Sequence, residues 1–461
     1  MYAEVSNKIY IHDYTADIIE WCDENLVLKN PEYEKKKRMG LWVGNTPRQI
    51  CLYEKISTVL AVPFGCLKRL HDAFPDMHMV SRIRSYERIS YRSGINLYGY
   101  QKDALQAATA ARNGIVVMPC GSGKTQTALE LVNIIGGRCL WLTHTQDLLN
   151  QSMERAKSVL EINNRSYGTI TGGKVNIGTG ITFATVQTMS KLNLEEYRDV
   201  WDIIIVDECH KCVGGPTKVM QFYKVLSALS CRYKFGLTAT PKRSDGLEKS
   251  MYALLGDVVY TVSREDVSGT TCPVEVKIVE TGYMPDLDIA LCGDGTINYA
   301  GLVNDLTHND ERFEFVLKTI QELPAKSPIL VLGNRVEYLQ NMCEKYSGAS
   351  QCLSGMGNSK KAKEERRRAL KALNDGDISC LFATYQLAKE GLDVPNLRYV
   401  VFATPEKDES TVVQAAGRVA RKADGKDKGT VIDFVDNFGM LLGWAKKRHR
   451  IFEKKLNFML T

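Results

Sequence analysis

Two adjacent carboxylates, Asp207 and Glu208, follow four β-branched residues, Ile203-Ile204-Ile205-Val206. Such a run reads as a strand buried on both faces, as in a parallel sheet. Acids at the carboxyl end of such a strand stand where open α/β sheets bind their ligands. A pair of them can hold a magnesium ion and activate a water. Taken alone, the pair reads equally well as a buried strand that simply meets solvent. What decides between the two is whether the chain supplies partners.

The first partner is Met118-Pro119-Cys120-Gly121-Ser122-Gly123-Lys124-Thr125. Its glycines let backbone N–H groups approach phosphate, and the helix that starts there adds its positive end. Lys124 is suited to the β- and γ-phosphates and Thr125 to magnesium. The usual first glycine of such a loop is here Met118. With a phosphate loop in place, Asp207 becomes the second magnesium ligand and Glu208 the residue that orients and deprotonates the attacking water. His210 is read as a hydrogen-bonding link, because Glu208 already fills the role of base. Cys209, His210 and Cys212 lie close together, but a structural zinc needs four ligands and no second cysteine pair lies at suitable spacing.

The second partner is Gln414-Ala415-Ala416-Gly417-Arg418-Val419-Ala420-Arg421. On a helix, Gln414, Arg418 and Arg421 share one face at i, i+4 and i+7. Two arginines there suit phosphate oxygens and could act as arginine fingers on the γ-phosphate.

The elements that must position these residues are legible as an alternation of strands and helices. Expected strands are Ile115–Met118, Cys139–Leu142, Ile181–Phe183, Ile203–Val206 and Tyr233–Leu237, with helices between them. After a connecting region with a strand at Val274–Val279, the alternation restarts with Ile329–Leu332, Ile378–Ala383, Tyr399–Ala403 and Thr430–Phe434. This predicts an α/β chain of two tandem doubly wound parallel-sheet lobes. Residues 1–93 read as a small N-terminal accessory module. It carries a basic run, Glu34 to Arg38, and a second cluster of Arg82, Arg84, Arg88 and Arg92 interleaved with Tyr86 and Tyr91. Each cluster reads as a solvated face or as a phosphate-contacting surface. The lobes are assigned to 94–268 and 269–440, and 441–461 to a basic C-terminal helix.

Composition bounds the rest. With 461 residues, 44% hydrophobic and 25% charged, the chain has room for two or three domains. It shows no apolar run of membrane-spanning length and no secretory address. Thirteen scattered cysteines read as reduced thiols. The net charge of +6 permits a polyanionic partner without requiring one.

With these stretches in hand, the chain resembles the superfamily-2 helicases and translocases over roughly Leu97 to Asp436, with the motifs in the family's order. The resemblance implies two RecA-like lobes, ATP and Mg2+ as cofactors, and an ATP hydrolase. Tyr100-Gln101 is similar to the adenine-reading motif. Cys120, Gly121, Ser122, Gly123, Lys124 and Thr125 correspond to the phosphate loop, and Gly391 and Asp393, in Glu390-Gly391-Leu392-Asp393, to a further nucleotide contact. Thr143, His144, Thr171, Gly172, Thr185, Gln187, Arg335 and Thr384 stand at nucleic-acid contacts. Thr238-Ala239-Thr240 resembles the coupling motif, with His210 and Gln414 as its links. The forms Thr238-Ala239-Thr240 and Gln414-Ala415-Ala416-Gly417-Arg418 resemble the DNA-directed branch with XPB-like and phage UvsW-like enzymes.

That branch implies an enzyme moving 3′ to 5′ on forked or branched DNA, or on duplex with a single-stranded region, as a monomer in a bacterial or phage-infected cytoplasm. An RNA helicase, a motor subunit of a restriction or defence complex, and a non-enzymatic scaffold are the alternatives. Arg264-Glu265-Asp266 is similar to an XPB element that helps open DNA, and reads equally as a charged helix start.

Overall fold

A computed structural model describes the chain except residues 120, 216–218, 244, 268–270, 294–295, 325, 354–359 and 390–393, and the side chains at 264, 360, 363, 388 and 389. The expectations at Cys120, Gly391 and Asp393 therefore lie outside the described residues. The chain divides into two compact units, Met1–Pro119 with Gly123–Ser263, and Arg264–Thr461 with Cys120–Ser122.

The first unit opens with a small sheet. Its strands are β1 (Tyr2–Val5), β2 (Lys8–His12), β5 (Glu54–Ile56), β6 (Val59–Pro63) and β7 (His78–Ser81), in the order β5-β6-β2-β1-β7; a ribbon of β3 (Val27–Lys29) and β4 (Gln49–Cys51) lies apart from it. In β2, Ile9 and Ile11 are buried while their neighbours are half exposed, the alternation of a strand with one covered face. The cover is the helix Ala16–Leu26, which turns Ile18, Cys22 and Leu26 inward at fourfold spacing.

This module does not stand alone. Its core includes Leu247 and Ala253 of the following lobe. Gly65 sits so close to the end of helix Glu248–Leu255 that a Cβ would lie 2.4 Å from Gly256 N. Lys234 is fully buried, donates to Leu226 O at 2.9 Å, and places its ammonium 4.8 Å from the centre of the Phe64 ring. The second arginine cluster belongs to the strap between module and lobe. Tyr91 is buried and donates to Gly137 O, Tyr86 donates to Ile135 O, Arg88 to Ile134 O, and Arg82 pairs with Glu4. Tyr91 is thus unavailable for stacking on bases and Tyr86 is half-buried, whereas all four arginines are exposed.

The lobe itself is an eight-stranded sheet of β8 (Asn113–Val117), β9 (Cys139–Thr143), β10 (Tyr167–Thr171), β11 (Lys174–Asn176), β12 (Ile181–Thr185), β13 (Ile203–Asp207), β14 (Tyr233–Thr238) and β15 (Val258–Thr261). The order is β11-β10-β12-β9-β13-β14-β8-β15, and all pairs except β10 with β11 are parallel. Every residue of β9, β12 and β13 is buried, which is why β13 reads as a continuous apolar run up to Asp207.

The second unit has a seven-stranded sheet of β16 (Val274–Glu280), β17 (Ile329–Gly333), β18 (Ser350–Leu353), β19 (Cys380–Thr384), β20 (Tyr399–Phe402), β21 (Gly429–Val435) and β22 (Met459–Leu460), in the order β18-β19-β17-β20-β21-β16-β22, parallel throughout. The basic C-terminal helix, Gly439–Leu456, belongs to this lobe's core through Ile451, Phe452 and Leu456, and β22 then pairs with β16. Arg448 is buried against Asp433, at 2.8 Å. So the segment 441–461 is an integral layer of the lobe. Truncation after Asp436 would open the core.

Candidate nucleotide site and its coupling network

The acid pair ends β13 as expected. Asp207 is 6% exposed, and its Oδ1 accepts the Glu208 N–H at 3.0 Å. Glu208 has φ 51°, a left-handed conformation that costs a non-glycine residue energy and is found where a side chain must be aimed. Burial, then the Glu208 carboxylate beside it, push the Asp207 carboxyl up, and Lys124 offsets only part of this. Burial also pushes Glu208 up, but His210 and the Lys124 ammonium outweigh it and hold that carboxyl below the usual range. Glu208 Oε2 lies 3.2 Å from His210 Nδ1, yet it is buried and has no well-aligned hydrogen bond among the described residues. A buried acid raised by a like neighbour, beside an unsatisfied carboxylate oxygen, is an environment that a cation and an ordered water would relieve. Asp207 and the Thr125 hydroxyl are suited to hold Mg2+, a hard cation that takes few protein ligands beside phosphates.

The phosphate loop follows β8. Gly121 and Gly123 have φ 82° and 81°, and helix Lys124–Ile135 begins immediately after. Both glycines are needed for this backbone. Met118 is fully buried, outside the left-handed region, and donates its N–H to Thr238 O at 2.9 Å. That accounts for the missing first glycine. Lys124 Nζ lies 3.5 Å from Met118 O and from Pro119 O, folded over the loop's own carbonyls. Ser122 is buried.

Beside the loop, a Cβ on Gly123 would lie 2.5 Å from Gln101 Nε2. Gln101 Oε1 accepts the Tyr98 N–H at 2.9 Å and so caps helix Gly99–Ala111. The rings of Tyr98 and Tyr100 stack at 5.6 Å, with Tyr100 buried and Tyr98 54% exposed. Tyr98 thus puts an aromatic face next to the expected adenine reader.

His210 is buried with Nδ1 3.1 Å from Thr238 Oγ1, which also accepts the Thr240 N–H at 3.1 Å. The segments Asp207–His210 and Thr238–Thr240 are therefore bonded directly, at the ends of the adjacent parallel strands β13 and β14.

A second bond joins the same two loops. Arg243 donates Nη1 to the His210 carbonyl. Its Nε and Nη2 grip Asp245 at 2.8 and 2.6 Å. Asp245 in turn accepts the Leu247 N–H ahead of helix Glu248–Leu255. The only signal in the sequence is an arginine and an aspartate two apart, just past Thr238-Ala239-Thr240-Pro241. Held at ring and carbonyl, His210 has little freedom, and Glu208 next to it inherits that fixity. Arg243→Ala is expected to lower kcat for ATP about tenfold with KM changed less than threefold, the mark of a positioning role. Steady-state kinetics check this, and a pure KM effect would contradict it.

The nucleic-acid residues expected in this lobe gather at the carboxyl ends of β9, β12 and β10. Gln187 Nε2 donates to His144 O at 2.7 Å, Thr171 Oγ1 to Gln146 Oε1, and Thr185 Oγ1 to Thr188 Oγ1 at 3.0 Å. Gly172 lies in the open turn between β10 and β11. Thr143 differs from the expectation. It is fully buried and donates to Thr145 O at 3.0 Å, so its side chain shapes the loop and cannot touch a strand. Burial, then the Lys211 charge, push His144 down to about 4, so this imidazole is neutral near pH 7 and offers hydrogen bonds rather than charge.

In the second unit, Arg335 precedes helix Val336–Lys345, with Nε 3.0 Å from Asn304 Oδ1, and Thr384 ends β19. Gln414 lies on helix Glu409–Gly417, but that helix stops at Gly417. Arg418–Ala420 form a 3-10 turn, and Arg421 is extended and bridged to Thr271. The i+7 relation to Gln414 therefore fails for Arg421. The cause is packing: a Cβ on Gly429 of β21 would lie 2.3 Å from Val419 O, so the sheet presses on the chain where a further helical turn would run.

The model of the type III restriction enzyme res subunit family matches residues 94–243, and that of the helicase conserved C-terminal domain matches residues 311–423. Together they cover more than half of the chain. The DNA 3'-5' translocase XPB2 of Sulfurisphaera tokodaii is 26% identical over 72% of this chain and 80% of its own length. A protein of Acanthamoeba polyphaga mimivirus, named provisionally as an ATP-dependent RNA helicase, is 26% identical over 74% of this chain and 64% of its own length, so the chain spans less than two thirds of that relative. Among solved structures, Saccharomyces cerevisiae Dbp5 bound to RNA and ADP BeF3 has a TM-score of 0.55 at 16% identity, covering 79% of this chain and 89% of that one. This last likeness concerns the fold.

Proposed function

The chain belongs to the superfamily-2 helicases, and on that premise we propose that it is an ATP-driven DNA helicase or translocase that remodels forked and branched DNA, moving 3′ to 5′. One observation carries the motor reading: Asp207, Glu208, Lys124 and the His210–Thr238 bond meet at the end of β13. All parts of a phosphoryl-transfer site that one lobe can supply are there.

In this reading, Gly121 to Thr125 cradle the phosphates and Lys124 turns from the loop carbonyls to the γ-phosphate. Asp207 and Thr125 hold Mg2+, which neutralises charge on the phosphates when bound. Glu208 takes the proton of the attacking water. Arg418 and Arg421 stabilise the charge that develops on the γ-phosphate. His210 and Thr238 report the state of the site to the strand-contact loops, where Gln187, Thr171 and Gly172 contact the backbone of one strand. Backbone contacts carry little sequence information, so substrate choice follows DNA structure.

DNA is favoured over RNA by the XPB2 relative, which is named a DNA 3'-5' translocase. The RNA reading keeps one observation in its favour, the name of the mimivirus relative. The test is strand displacement on forks, Holliday junctions, RNA-displaced loops and plain duplexes with ATP. Conversion of forks and junctions ahead of plain duplex supports the proposal; displacement of RNA duplexes alone refutes it. No helix among the described residues is long and apolar enough to cross a membrane.

The coupling role of His210 gives a further expected result. His210→Ala removes the ring between Glu208 and Thr238 but leaves the backbone carbonyl that Arg243 holds. Strand displacement should fall about tenfold while DNA-independent ATP hydrolysis falls about threefold or less, as for the loss of a linking hydrogen bond. An equal loss of both would remove the linking role.

A further inference from the structure

Helix Pro31–Arg38 buries none of its side chains. Eight residues with nothing buried make a marginal helix in water. This one is held by its ends. Asn30 accepts the Glu32 N–H at 3.1 Å and donates to Pro47 O at 2.7 Å. Lys36 donates to Thr46 Oγ1 at 2.7 Å and pairs with Glu32 at 3.0 Å. Beyond the helix, Gly40 N donates to Lys37 O, Leu41 N to Lys36 O, and Thr46 N to Val43 O.

The loop braced in this way holds three large apolar side chains out in solvent. Met39 is 58% exposed, Leu41 54% and Trp42 86%, and Trp42 is the most exposed large hydrophobic residue among the described ones. The Trp42 ring rests against the backbone of Gly44, where a Cβ would lie 2.7 Å from it. One ring face is thus propped and the ring is held in place. Single exposed apolar residues are ordinary, but a contiguous group on a braced loop marks a binding surface.

The chemistry around the tip selects the partner. Lys35, Lys37, Arg38 and Arg48 are exposed beside it, against one exposed acid that no basic side chain is seen to pair with, Glu34. Protein interfaces deplete lysine at their cores, whereas phosphates attract it. An aromatic face among cations is what a nucleic-acid base with flanking phosphates requires. The base of the loop is also tied to the nucleotide lobe: a Cβ on Gly215, five residues past His210, would lie 2.4 Å from Cys51 O of β4.

We infer that the loop around Trp42 is a base-stacking site, which takes the first unpaired or terminal base where a DNA duplex parts, while Lys35, Lys37, Arg38 and Arg48 hold the adjoining phosphates. Met39 and Leu41 flank the ring as an apolar wedge of the kind that props base steps open. This inference rests on the reading of the chain as a DNA motor and adds the element that recognises the fork.

The experiment uses the full chain, a dye-labelled fork with 2-aminopurine at its first unpaired position, and a blunt duplex, at fixed salt. Trp42→Ala is expected to weaken fork binding about tenfold, the loss of one stacked base. Trp42→Phe should restore most of it, and blunt-duplex binding should change less than threefold with either variant. The 2-aminopurine signal should respond to the wild-type protein and not to Trp42→Ala. ATP hydrolysis without DNA, and thermal unfolding, should be unchanged, because the side chain is exposed. Equal fork affinity for wild type and Trp42→Ala would overturn the inference. So would a DNA-free wild-type dimer that becomes a monomer on Trp42→Ala, which would give the patch to a second copy of the chain. Failure of the wild type to bind any DNA would instead defeat the DNA reading beneath it.

Discussion

Glu208→Gln is expected to lower ATP turnover by about 10²–10⁴-fold, the usual worth of a positioned general base, while ATP binding changes by less than about threefold. Glutamine keeps the volume and the left-handed backbone that Glu208 already adopts at φ 51°. It removes the basic oxygen that lies buried and unsatisfied beside His210. The phosphate loop, Lys124 and Asp207 are left in place, so affinity should survive. Single-turnover hydrolysis and equilibrium binding of a fluorescent ATP analogue separate the two effects. Undiminished turnover would contradict the role given to Glu208, and lost binding would show that the residue holds the nucleotide instead.

Arg312→Ala is expected to destabilise the second unit by about 3–5 kcal/mol, the cost of breaking a buried ion pair. Arg312 is 1% exposed and so is Asp436. Their side chains meet twice, at 2.6 and 3.0 Å, and the guanidinium also donates to Tyr338 Oη and Ala403 O, each at 3.0 Å. Thr281 Oγ1 donates to the same carboxylate at 2.6 Å. This network fastens the carboxyl ends of β16, β20 and β21 to the helices Asp310–Gln321 and Val336–Lys345. Removing the arginine strands a buried carboxylate. Replacing both partners, Arg312→Met with Asp436→Asn, should recover more than half of the loss, because no charge is then left unpaired. Thermal or urea unfolding of the single and double variants measures it; a single variant as stable as the wild type would contradict the account.

Both residues bear on what a sequence can reveal. Glu208 was legible because its strand is buried on both faces and its partners come as short, ordered motifs. The same is true of Gly123-Lys124-Thr125 and of Thr238-Ala239-Thr240. Arg312 was not legible: it stands in an ordinary charged first helical turn, and its partner lies 124 residues away. Lys234 was hidden for a similar reason, since a lysine in a strand reads as solvent-facing until Phe64 is brought over it. Strands β10, β15 and β18 were missed because they are short and polar in places, as in Tyr167-Gly168-Thr169-Ile170-Thr171. The helical face drawn through Arg421 failed because propensity carries a helix onward, whereas the press of β21 ends it at Gly417. The last helix reads from sequence as basic, yet Arg448 and Lys455 pair with Asp433 and Glu409 within the lobe.

The central claim, an ATP-driven motor that works on DNA, is tested most directly by the steady-state rate of ATP hydrolysis with Mg2+ in the presence of forked DNA, single-stranded DNA, duplex DNA or RNA. The account predicts hydrolysis that rises at least about tenfold with DNA, most strongly with forks, and that Glu208→Gln abolishes. Hydrolysis stimulated by RNA alone, or none with any nucleic acid, would contradict it.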